Sequence, residues 1–212
     1  MKRKPMGNQR LIILTGLFAA LTGIGAYLKI PLPNVPVTLQ TFFVYLSANL
    51  LGAYYGGLSQ IIYLLIGLIG IPVFAYGGGP GYFVQPTFGY LLSYPISAFV
   101  IGAVLKYFRI EHGKSFQKES CLFLKVFFAN FIGLFIIFSV GLGYLYLNLH
   151  FNLYLKYDQF ASSKILEWDN LFRTTLFVFM PIDLIKVFLA TMVTTKLFQK
   201  YNFLKFPQIQ RA

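Results

Sequence analysis

Asp183 and Lys186 are the two ionisable residues of the run Met180-Pro181-Ile182-Asp183-Leu184-Ile185-Lys186-Val187-Phe188-Leu189, which is otherwise apolar. A charged side chain near the centre of a helix in lipid costs about 2.5–3.5 kcal/mol on insertion scales, so it faces protein or a water-filled cavity. Residues three apart are neighbours on a helix, so the lysine can neutralise the aspartate. Two uses are open for such a pair. It can form a polar binding site inside a membrane protein, or it can be an intrahelical ion pair that orients its helix.

Other chemistry is sparse. His112 and His150 fall in loops on opposite sides of the expected membrane, so they cannot share a metal or a catalytic pair. Ser59 and Ser139 have no His or Lys neighbour that would mark a nucleophile. A phosphate-binding loop needs a glycine five residues before Gly-Lys-Ser/Thr, but Phe108 stands there ahead of Gly113-Lys114-Ser115. The single Cys121 gives no disulfide framework. The sequence therefore predicts no enzyme, no ATPase, no metal site and no cofactor.

The elements that position the pair follow from composition. Hydrophobic residues make up 57% of the 212 and charged residues only 11%, against about 25% in soluble domains, so lipid is the expected solvent. The net charge of +12 would suggest nucleic acid for a soluble chain; here its distribution gives topology. Apolar runs predict six spans: Leu11 to Leu28, Thr38 to Tyr54, Leu58 to Phe74, Phe88 to Lys106, Leu122 to Leu147 and Thr174 to Lys196. The second and third are short and are divided at Tyr55-Gly56-Gly57. The expected fold is an all-α membrane protein, one six-transmembrane-helix bundle over residues 1–212.

With both termini inside, thirteen of the eighteen Lys and Arg fall on the cytoplasmic side. They include Lys2, Arg3, Lys4 and Arg10 in the basic segment 1–10, five between Lys106 and Lys125, and four from Lys196 onward. Lys29, Lys156, Lys164 and Arg173 fall outside, a bias that predicts cytoplasmic N and C termini. The first span also has features of a secretory signal, with a basic start and the small residues Gly23 and Gly25. Its direct continuation into a proline-rich loop and five further spans favour retention as the first helix.

Two expected outer segments are unusual. Lys29 to Val37 carries Pro31, Pro33 and Pro36, which hold backbone extended and remove donors, so a stiff apolar flap is expected. Phe74 to Thr87 is uncharged and rich in glycine, permitting close approach of backbone to a ligand or to buried protein. Both sit on the side where the sixth span begins, which points to a site that opens outward.

These residues resemble the BioY family of biotin transporters, the substrate-binding (S) components of energy-coupling factor (ECF) transporters. The resemblance lies in Pro33-x-x-Pro36-Val37-Thr38-Leu39-Gln40-Thr41-Phe42-Phe43, Gly67-Leu68-Ile69-Gly70-Ile71-Pro72-Val73-Phe74, Pro86-Thr87-x-Gly89-Tyr90 and Pro181-x-Asp183-x-x-Lys186, and extends from about Leu14 to Thr195. The usual Pro-Gly-Asp of the family reads Pro181-Ile182-Asp183 here. The resemblance implies a multi-pass protein of the bacterial plasma membrane that captures biotin from outside. It further implies an ECF transmembrane coupling subunit and two cytosolic ATPase subunits as partners.

On that basis the substrate-binding residues are expected to be Gln40, Gly79, Tyr82, Tyr90, Asp183 and Lys186, with Pro33, Pro36 and Val37 in a gating loop. Asp183 suits the two ureido N–H donors of biotin, Gln40 offers donor and acceptor, and the tyrosines offer ring surface and hydroxyls. With 15 Tyr in the chain, packing is the commoner role for any one of them. The small residues Thr15, Ala19 and Gly23, and offset by one Gly16 and Ala20, resemble the row with which S components dock the coupling subunit. Internal packing asks for the same residues. Rival functions are an S component for another vitamin, a proton-coupled secondary transporter using Asp183, and an intramembrane enzyme. The role of the outer loop 148–173 is left open.

Overall fold

The structure is a computed structural model, and it describes residues 8–30, 36–108, 119–150, 173 and 175–201. Pro33, residues 1–7 of the basic N-terminal segment, the inner segment 109–118 and most of the outer loop 148–173 lie outside the described residues. So do residues 202–212.

The described chain is helical apart from one small strand pair. Helix α1 (Asn8–Tyr27) leads into strands β1 (Lys29–Ile30) and β2 (Val37–Thr38), then α2 (Gln40–Leu68). A 3-10 turn (Pro80–Val84), α3 (Phe88–Tyr107) and α4 (Glu119–His150) follow. A π-helical turn, Thr175–Phe179, runs directly into α5 (Met180–Tyr201). Among the described residues, five helices are long and apolar enough to cross a membrane.

Helix α2 is not straight. Gly52 has φ 77° and ψ −176°, a conformation that L side chains rarely adopt, and the chain reverses there. Residues 13 apart on a straight helix would be separated by about 20 Å. Yet Gln60 Nε2 donates to Ser47 Oγ at 3.1 Å, and Gln40 Nε2 reaches the Tyr63 hydroxyl, 23 positions on, at 2.5 Å. Residues 40–51 and 53–68 therefore form two arms packed side by side. This corrects the turn expected at Tyr55-Gly56-Gly57. Gly56 instead lies at the arm contact, where a β-carbon would come 2.9 Å from Ala48 Cα.

The remaining helices close around this hairpin. Helix α1 packs on α2, α3 lies between α2 and α4, and α5 fills the gap between α4 and α2. Tyr45, Tyr63, Phe74, Phe88, Ile101 and Leu134 are buried at the centre. Buried hydroxyls need partners in this setting, and Thr15, Thr22, Thr191 and Thr195 return theirs to carbonyls four residues earlier. Two amide bridges tie α5 in place: Asn49 Nδ2 donates to Thr194 Oγ1 at 3.0 Å and Asn130 Nδ2 to Thr191 Oγ1 at 3.1 Å. Interhelical bonds of this kind contribute about 0.6 kcal/mol each on average, so they fix orientation more than they add stability.

Candidate functional site: a polar cavity beneath a strand flap

The cavity forms where β2, the starts of α2, α3 and α5, and the middle of α4 meet. It holds ≈ 600 Å³ of space free of protein atoms, part of it open to the exterior. Its wall combines Asp183 and Lys186 from α5, Gln40 and Thr41 from α2, the aromatic rings of Tyr82, Tyr90 and Tyr94, and the apolar side chains of Ile137, Phe138 and Phe179.

Asp183 and Lys186 sit one turn apart, 7% and 8% exposed. Lys186 Nζ lies 2.6 Å from Asp183 Oδ1 and also donates to Thr41 Oγ1 at 3.2 Å. The Thr41 hydroxyl in turn donates to the same Asp183 Oδ1 at 3.0 Å. The three groups thus form a closed triangle that ties α5 to the start of α2. Both bonds that Asp183 accepts fall on Oδ1, and among the described residues none reaches Oδ2, which is left to accept from a ligand. Pro181 follows directly on the π-helical turn Thr175–Phe179, and its missing N–H removes one intrahelical donor at that junction.

Gln40 is held at both ends. The Thr38 hydroxyl donates to Gln40 Oε1 at 2.8 Å, and Gln40 Nε2 donates to the Tyr63 hydroxyl, which itself donates to the Val73 carbonyl at 3.2 Å. Its amide is therefore fixed in orientation where it lines the cavity. Pro36 and Val37 line the cavity from the flap, where Ile30 pairs with Val37 and Lys29 with Thr38. Tyr82 lies in the 3-10 turn against Phe74, with ring centroids 4.6 Å apart. Burial raises the Tyr82 phenol above its ordinary pKa, so it keeps its proton near neutral pH.

Gly79 does not line the cavity. It has φ 105° and donates its N–H to the Gly67 carbonyl at 2.7 Å, folding the glycine loop over the end of α2. The two small-residue rows of α1 part company as well. Thr15, Ala19 and Gly23 face inward, with Gly23 against Val73, whereas Gly16 and Ala20 are exposed, and a β-carbon on Gly16 would meet nothing within 4 Å.

Thr38, Thr41, Leu91, Tyr94 and Phe179 line the cavity without having been singled out from the sequence. Polar residues clustered as Thr38-x-Gln40-Thr41 at the edge of an apolar run were the available signal for the threonines. Tyr94 could have been found from its position one turn after Tyr90.

Membrane-length helices around a polar cavity beneath a two-strand flap fit the class of membrane proteins that bind a small solute. Within that class, the chain belongs to the BioY family, whose profile matches residues 1–203. The "Probable biotin transporter BioY" of Lysinibacillus sphaericus is 46% identical over 145 residues, 68% of this chain and 69% of that protein. The "Biotin transporter BioY" of Thermotoga maritima is 42% identical over 142 residues, 66% of this chain and 77% of that one. A crystal structure of the S-component for biotin from an ECF-type ABC transporter shares the fold, with a TM-score of 0.71 over 91% of this chain and 94% of that one, at 24% identity.

Proposed function

We propose that this protein captures biotin in the cavity and delivers it across the membrane as the S component of an ECF-type transporter. The observation that carries the reading is the buried Asp183–Lys186–Thr41 triangle in the cavity wall of a chain of this family. Biotin's ureido ring has two N–H donors on a compact apolar bicycle. Asp183 Oδ2 accepts from the donors, and Tyr82, Tyr90 and Tyr94 enclose the bicycle. The chain has no Gly-x-x-x-x-Gly-Lys-Ser/Thr loop, so energy comes from partners, a transmembrane coupling subunit and two cytosolic ATPases. Gly16 and Ala20, small and exposed on α1, suit close approach of such a coupling subunit.

Calorimetry on the purified, detergent-solubilised chain tests the reading. Biotin is expected to bind, and thiamine and riboflavin are not. Binding of either of those vitamins in preference to biotin would assign the cavity to another substrate.

With α2 counted as two arms, the chain makes six passes in a bacterial plasma membrane, with Gly52 toward the cytoplasm and the flap outside. A reporter fused after Ala212 is then expected to read cytoplasmic, and one inserted near Ser162 external. Labelling of both positions from the same side would overturn the six-pass arrangement.

A further inference from the structure

The cavity wall is electrically balanced, because Asp183 and Lys186 neutralise one another. Biotin also ends in a carboxylate, and burying that charge beside a balanced pair is unfavourable unless another cation meets it. Lys29 is a cation that lies beside the lining residues Thr38 and Ala75 without itself lining the cavity. It stands directly opposite Thr38 in the β1–β2 ladder, and directly opposed residues project to the same face. Thr38 is buried on the cavity side. The Lys29 Nζ crosses from the flap to donate to the carbonyl of Ala75, another cavity-lining residue, and lies 5.0 Å from the Tyr76 ring centroid. The lysine therefore bridges the flap and the glycine loop above the cavity.

An ammonium has three donors, so the bond to Ala75 leaves two for a ligand. Its exposed position keeps those donors open to water until something covers them. We propose that Lys29 receives the ligand's terminal carboxylate, so that the two ends of the molecule are read separately. The ring is read by Asp183 and Thr41 in the wall, and the acid by Lys29 beside the cavity. The inference rests on the biotin reading above.

Calorimetric titration of the full chain with biotin and with biotin methyl ester separates the two ends. The wild type is expected to prefer the acid by about tenfold, the size of one charge-assisted contact. Lys29→Met is expected to reduce biotin to the affinity of the ester while leaving the ester unchanged, and Lys29→Arg to keep the preference. An undiminished preference in Lys29→Met would overturn the inference alone. Equal weakening of both compounds would also overturn it, because Lys29 would then only latch the flap. Failure of the wild type to bind either compound would overturn the biotin reading and this inference with it.

Discussion

Replacing Asp183 by Asn is expected to weaken biotin binding by about ten- to a hundredfold, the equivalent of losing a charge-assisted hydrogen bond of about 1.5–3 kcal/mol. The substitution keeps the shape of the side chain but removes its charge, and Lys186 Nζ then lies buried against a neutral oxygen. Lys186→Met makes the reverse error and leaves the carboxylate supported by Thr41 alone. Because the two side chains share one ion pair, the double variant should lose less than the sum of the single losses. Calorimetry on the four proteins measures this cycle. Wild-type affinity in a folded Asp183→Asn protein would make the pair structural and move the ureido site elsewhere.

Among the described glycines, Gly102→Ala is expected to be the most damaging single methyl. A β-carbon there would fall 2.1 Å from the Ala53 amide nitrogen and 2.5 Å from the Gly52 carbonyl carbon, both backbone atoms at the reversal of α2. Side chains can rotate away from such a clash, but this backbone is fixed by Gly52. Overpacking of this kind costs about 3 kcal/mol, or a fall in Tm of about 6–12 °C for a chain of this size. Gly16→Ala is the control, since its methyl enters open space and gains helix propensity. Thermal unfolding in detergent should separate the two variants, and similar Tm values would contradict the packing described at Gly102.

Asp183 and Lys186 are visible in the sequence because a charge in an apolar run has few inexpensive explanations. Thr41 is not, although it bonds to both of them. A hydroxyl inside a membrane helix ordinarily bonds to its own backbone, as Thr15 and Thr22 do here, so its residue type gives no hint that it bridges helices. The glycines near residue 55 illustrate a different obstacle. A positive φ and a close helix contact both require glycine, and the sequence does not distinguish Gly52, which makes the turn, from Gly56, which makes the contact. The prolines announce a stiff flap between α1 and α2. The register that sets Lys29 opposite Thr38 depends on how the two strands meet and is not written in either strand alone.

The cavity's position in the bundle also gives it an electric field that no single side chain supplies. Helices α2 and α3 both begin beside it: Gln40 and Thr41 open α2, and Tyr90 and Leu91 lie in the first turn of α3. Each helix start carries a partial positive charge from its aligned peptide dipoles, worth about 0.3–1 kcal/mol to a nearby anion. Away from bulk water these contributions are weakly screened, and two of them act on the same volume. They make the entrance attractive to an anionic solute before it has touched a side chain, so the helix directions themselves bias the cavity toward organic acids over neutral compounds of the same shape.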